Sequence, residues 1–246
     1  MRGAAGVPYR LRFTKRGKVR FISHRDVVRA FDRAFRIAEL PVLFTGGFSP
    51  RPKVSFGHAL AVGYESDAEY LDVEFDRPVG AERLVGELTE ALPEGIEVAG
   101  SAMLEERAPS LQEAITSMTY SIQVSGERKL VAAAVGEFLA ADRVEVARRR
   151  KGQESLEDIR PAVRSLNVAE IAEPRMAGIA EHGVLLTLEV GTQPSGVRPG
   201  EVLAGLAGGW EEGVVRRTHQ WIERDGARLE PLDADTRVDA MEAYAS

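Results

Sequence analysis

Residues 21–63 read FISHRDVVRAFDRAFRIAELPVLFTGGFSPRPKVSFGHALAVG, a capped basic helix that runs into a Gly/Pro-rich loop. Ser23 stands where a helix N-cap belongs and Asp26 follows three residues later, so each can satisfy a backbone donor of the other, with Ile22 and Val27 as the flanking apolar staple. Over residues 26–40, Val27, Phe31, Ala34, Phe35 and Ala38 recur at helical spacing and leave Arg25, Arg29, Asp32, Arg33 and Arg36 for the opposite face. The loop at 45–53, TGGFSPRPK, then combines two glycines that permit positive φ with two prolines that stiffen the chain.

Working outward, residues 9–14 alternate like a strand, and residues 19–22 read as a second short strand after the turn at 15–18, forming a basic hairpin. Extended segments at 42–45 and 53–62, a strand at 70–75, a helix at 81–92 and a strand at 96–103 follow. The order is β-α-β-β-α-β. The second half repeats it with strand 119–124, helix 129–140, strands 144–150 and 184–190, helix 200–208 and strand 213–222. The expected fold is therefore α+β, with two tandem ferredoxin-like (βαββαβ) units at 1–110 and 118–225. The charged, Pro-containing stretch at 105–117 marks the boundary. Residues 152–183, with a helix expected at 160–172, are too long for a hairpin loop and read as an insertion or a misassigned element. Residues 226–246 read as a mostly flexible acidic tail.

Charge is divided sharply along the chain. Residues 1–53 hold 13 Lys and Arg against 3 Asp and Glu, which leaves them at +10 where the whole chain is −6. Such a segment attracts phosphate while the acidic remainder keeps the protein soluble, so nucleic acid is the first partner to expect. The first twenty residues lack the apolar core of a secretory signal and no later run is long enough to span a bilayer, which points to a cytoplasmic protein without membrane association. With Cys absent from the sequence, disulfides, Cys-ligated zinc, iron–sulfur clusters and a catalytic thiol within the chain are excluded.

The candidate phosphate contacts are Arg12, Lys15, Arg16, Lys18 and Arg20 from the N-terminal hairpin, and Arg25 and Arg29 from the helix. Gly46, Gly47, Ser49, Arg51 and Lys53 from the loop join them, where free N–H groups and side-chain cations together suit an anion. His24, at the first helical position, is the candidate general acid or base, although a capping region accounts for its neighbourhood equally well. His24, Ser49, Arg51 and Lys53 are expected to converge on one concave surface. Residues 148–151 form the other dense basic run. Phe44, Phe48, Phe56 and Tyr64 lie near the loop, as core residues or as platforms for bases. The loop is neither a Walker A loop nor a dinucleotide-binding one, and His24, His58, His182 and His219 show no metal-ligand spacing, so no metal and no cofactor are expected in this chain.

The run from FISHRD through GGFSPRPKVSF, together with Lys151-Gly152 and Asp158-Ile159-Arg160, resembles the radical-SAM-linked protein family, a bacterial domain family found fused to or encoded beside radical SAM proteins. The likeness is close over residues 9–75 and weaker beyond. Since a radical SAM centre needs cysteines that this chain lacks, the resemblance implies a companion protein. The leading expectation is an accessory RNA-binding protein that partners a radical SAM enzyme in tRNA or rRNA modification. One alternative is a metal-independent endoribonuclease, in line with the similarity of tandem ferredoxin-like units to CRISPR repeat-processing endoribonucleases. The other is an interaction module that docks an acidic partner.

Overall fold

The alternation at the N-terminus becomes strand β1 (Val7–Lys15), which buries Tyr9, Leu11 and Phe13 on one face and Arg10 on the other. The structure, a computed structural model, describes residues 6–46, 48–105, 108–150, 152–169 and 183–236. It divides into two units, residues 1–115 with 220–246, and residues 116–219. Both mix helices with antiparallel sheet.

In the first unit, β1 is followed by a 3-10 turn at Gly17–Phe21 rather than by the expected hairpin strand. Lys15 explains the difference, because its ammonium donates to the carbonyls of Arg20 (3.2 Å) and Ile22 (3.0 Å) and pulls that segment into a tight turn under β1. Then come helix α1 (His24–Ile37), strands β2 (Val54–Phe56) and β3 (Glu65–Phe75), helix α2 (Ala81–Ala91), strand β4 (Val98–Met103) and the short helix α3 (Leu111–Ala114). β1 pairs antiparallel with both β3 and β4, and β2 pairs antiparallel with β3. The strand neighbours are thus β4-β1-β3, with β2 a further partner of β3 off that path. Helix α1 buries Val27, Phe31, Ala34 and Phe35 as its periodicity predicts. Phe31 meets Phe13 and Phe56 edge-on at 4.8 and 5.7 Å, which pins β2 beneath α1. The chain before β4 passes so close to β1 that a Cβ on Gly95, at φ +93°, would collide with the Arg16 carbonyl.

In the second unit, strand β5 (Ser117–Ser125), helix α4 (Arg128–Ala140), strands β6 (Glu145–Arg150), β7 (Gln153–Asp158), β8 (Val163–Val168) and β9 (Gly183–Gly191), helix α5 (Pro199–Gly205) and strand β10 (Glu212–Arg224) follow in turn. β10, β5, β9 and β8 are neighbours in that order in one sheet, and among the described residues β6 pairs with β7 in a separate two-stranded sheet. This corrects the sequence reading. The strand expected at 144–150 is one arm of a separate hairpin, and the strand that takes its place beside β9 is β8, inside the segment read as an insertion with a helix at 160–172. Residues 160–162 form a single 3-10 turn there. Burial explains the error: the hairpin strand β7 is mostly exposed, while Val163 and Leu166 of β8 are buried. A basic strand end on a hairpin and a short apolar strand give similar local patterns.

The expected flexible tail is built into the first unit as far as Thr236. Strand β11 (Ala227–Leu229) pairs with residues 222–224 of β10, which belong to this first unit, Arg10 donates to the Pro231 carbonyl at 3.2 Å, and Leu104 bridges to Thr236. No helix among the described residues is long and apolar enough to cross a membrane.

Candidate nucleic-acid interface

The basic segment separates into two populations once its partners are seen. Arg12 donates to Glu230 at 2.7 Å and to the Asp67 carbonyl, Arg16 to Asp67 at 2.7 Å, and Arg20 lies 3.5 Å from Glu65. The Asp67 carboxylate raises the pKa of Arg16, so that cation stays charged within its pair. Lys15 is buried and serves the turn described above. The cations of β1 and the turn are therefore largely matched by carboxylates of β3 and of the C-terminal segment; Lys18 is exposed. Nothing in the local sequence signals this neutralisation, because the carboxylates lie about 50 to 220 residues away along the chain.

The cations of α1 are left facing solvent. Arg25, Arg29, Arg33 and Arg36 are all exposed and recur at i, i+4, i+8 and i+11, a single stripe along the helix. Arg25 and Arg33 pair with no carboxylate among the described residues. Arg29 reaches Asp26 at 3.3 Å across exposed surface, and Arg36 donates to the Asp32 carbonyl within the helix. The helix start is fixed by the capping box read from the sequence, with Asp26 N–H donating to Ser23 Oγ and Ser23 N–H to Asp26 Oδ2, both at 3.3 Å. The Ser23 hydroxyl also donates to Asp26 at 2.6 Å and holds its carboxyl below the usual range. Arg33 and Arg36 complete a stripe of which the candidate set named only the first half. Their spacing was the available signal.

The loop after α1 is a short two-stranded arm. Thr45 N–H donates to the Arg51 carbonyl at 2.8 Å, Lys53 N–H to the Leu43 carbonyl at 2.7 Å, and Phe44 bridges Pro52. Gly46, Ser49 and Arg51 are exposed on it, whereas Gly47 lies outside the described residues. Lys53 is tied to Glu74 at 2.7 Å.

The expected convergence is not what the structure shows. His24 is exposed at the start of α1, with its ring edge-on to Phe56 at 5.4 Å, and lines a cavity of about 10 Å³ with Lys15, His58, Glu69 and Phe13. That is room for about one water molecule. Lys53 instead lines an open groove of about 390 Å³ with Asp72, Glu74, Glu105 and Leu104. β2 separates the two: Lys53 precedes it and Phe56 ends it. Sequence reading missed Glu69 and His58 as neighbours of His24, since only the β1–β3 register brings Glu69 opposite Phe13. Of the basic run at 148–151, Arg148 is buried in a structural network with Glu157, Glu201 and Ser195, each at 3.0 to 3.1 Å, and Lys151 lies outside the described residues, as does His182. Among the described residues no three His, Asp or Glu side chains are grouped to hold a metal.

Among solved structures, the chain is similar to a Cbf5–Nop10–Gar1 complex (TM-score 0.46, 13% identity, 86% of this chain and 48% of that one). It is also similar to an archaeal box H/ACA sRNP Nop10–Cbf5 complex (TM-score 0.43, 13%, 88% and 49%). A third is an H/ACA RNP bound to a substrate RNA containing 2′-deoxyuridine (TM-score 0.43, 12%, 92% and 54%). The chain spans about half the length of these chains. No curated protein matches it. Residues 8–199, which include α1, the arm and the hairpin β6–β7, match one family model. The chain belongs to that family, the uncharacterized protein conserved in bacteria known as DUF2344.

Proposed function

We propose that this protein is an accessory RNA-binding protein that presents tRNA or rRNA to a radical SAM modification enzyme and carries no cofactor of its own. The observation that supports it is the arginine stripe on α1. A helix face that leaves guanidinium groups unmatched, in a protein that pairs most of its neighbouring cations, suits a polyanion. Arg25 and Arg29 contact phosphates in this reading, joined by Arg33, Arg36, Lys18 and Arg51. The radical SAM partner rests on the sequence resemblance. We also read both units as ferredoxin-like, a reading supported by the strand neighbours β4-β1-β3, with β2 on β3, and β10-β5-β9-β8.

One observation favours a second reading, a metal-independent endoribonuclease. Lys15, His24, His58 and Glu69 surround one small cavity, a set able to move protons and hold a positive charge near a phosphodiester. Filter binding of tRNA and rRNA fragments at low salt, with cleavage followed in EDTA, tests both. The leading reading expects binding without turnover, weakened at least about tenfold when Arg25, Arg29 and Arg33 become Glu. Turnover that His24→Ala abolishes while binding persists supports the enzyme. Absence of RNA binding at low salt overturns both and leaves the module that docks an acidic partner.

A further inference from the structure

The basic segment holds both buried and exposed aromatic side chains. Phe13, Phe31, Phe35 and Phe75 are buried in the first unit's core. Phe21, Phe44 and Phe48 are the exposed large aromatics among the described residues, at 62%, 53% and 110% relative exposure, and all three fall within residues 1–53. Phe48 sits at the tip of the arm, where nothing among the described residues covers it. Phe21 sits at the entrance to α1 with the Arg20 guanidinium 4.8 Å from its ring centre.

The arm itself is built to project. Its base is closed by the Lys53–Leu43 and Thr45–Arg51 hydrogen bonds, Thr45 Oγ1 accepts from Arg51 N–H at 3.1 Å, and Pro50 and Pro52 flank Arg51. Residues 40–64 contain no Asp or Glu at all. Among the described residues, the one carboxylate paired with the arm is Glu74, which answers Lys53. An exposed phenyl ring three residues before an arginine that has no carboxylate partner among the described residues, on a segment without acids, matches a base with its phosphate better than an apolar protein surface, which asks for no such exclusion of negative charge.

We propose that the arm tip, through Phe48 with Arg51, is a stacking finger for unpaired nucleobases, so that the RNA held along α1 is single-stranded or looped at the arm. This deepens, and rests on, the RNA-binding reading above. Bases of a continuous duplex are stacked on each other, and the A-form major groove is too narrow for side chains to enter. A ring at the tip of an arm gains a stacking partner only where a base is already out of its stack. Phe44, at the root of the arm, and Phe21, at the start of the stripe, offer further ring faces on the same unit.

Fluorescence anisotropy with a labelled single-stranded RNA of mixed sequence, and with the same strand annealed to its complement, tests the proposal. The wild-type protein is expected to bind the single strand more tightly than the duplex. Phe48→Ala should weaken single-strand binding by about 5- to 100-fold, leave duplex binding unchanged, and be rescued by Phe48→Trp. As nothing among the described residues covers the tip, the melting temperature should stay that of the wild type. Arg25→Ala with Arg33→Ala should weaken both ligands alike. If Phe48→Ala binds single strands as the wild type does while the arginine variant is impaired, the finger is refuted and the RNA-binding reading stands. A preference for duplex refutes the finger as well. Absence of binding to either RNA refutes both.

Discussion

Replacing Arg25 and Arg33 by Ala should make RNA binding less sensitive to salt by a calculable amount. The stripe from Arg25 to Arg36 covers twelve residues of α1, about 16 Å end to end at 1.5 Å per residue, and presents guanidinium groups along one line. If each of the four arginines neutralises one phosphate of a single strand, the log–log slope of affinity against salt is about −2.8, so affinity falls about 50-fold between about 50 and 200 mM salt. Removing two contacts brings the slope to about −1.4 and the fall to about sevenfold. Neither side chain holds an ion pair among the described residues, and Ala is at least as good a helix former as Arg, so stability should change by less than about 0.5 kcal/mol. Filter binding or anisotropy over a salt series gives the slope, and thermal unfolding checks the fold. A variant that binds more weakly but keeps the wild-type slope would refute the assignment of these arginines to phosphates.

Two further outcomes concern the frame that carries the stripe. Arg10 is completely buried and holds Asp72 through two bonds of 2.7 and 2.9 Å. Burial pushes the Asp72 carboxyl up and Arg10 opposes that rise. Arg10→Met should cost about 2 to 4 kcal/mol in urea unfolding, with much of it regained when Asp72→Leu is added, because the loss comes from an unmatched, partly buried carboxylate; a double variant no more stable than the single one contradicts this. At the C-terminus, Arg224 grips Asp235 at 2.6 and 3.0 Å and holds its carboxyl below the usual range. A depressed folded-state value means that this contribution is fully present above the ordinary carboxylate pKa of about 3.9 and is lost as pH falls through the lowered one. Hydrogen exchange at Glu105 N–H, which donates to the Asp235 carbonyl, should therefore accelerate in that acid range. Asp235→Asn should remove the acid dependence, and an identical profile in the variant would show that another group controls it.

Much of this protein is written locally. The spacing of Val27, Phe31, Ala34 and Phe35 sets α1 and turns its arginines to solvent, Ser23 and Asp26 set where it starts, and the β-α-β-β-α-β order of the first unit is legible from alternation and helical periodicity alone. Each of these depends on residues within a few positions of one another. What only the tertiary structure decides depends on contacts between distant residues. Lys15 looks like an exposed cation until the carbonyls of Arg20 and Ile22 are seen to bind it. Arg12 and Arg16 look like phosphate contacts until Glu230 and Asp67 answer them. The strand beside β9 is β8 rather than β6, because the buried Val163 and Leu166, not the more exposed hairpin, complete that sheet. Net charge along a sequence states how many cations a segment has. Which of them remain available to a ligand is set by strand register and by the return of the chain, since a carboxylate at hydrogen-bond distance neutralises a guanidinium whatever its distance in sequence.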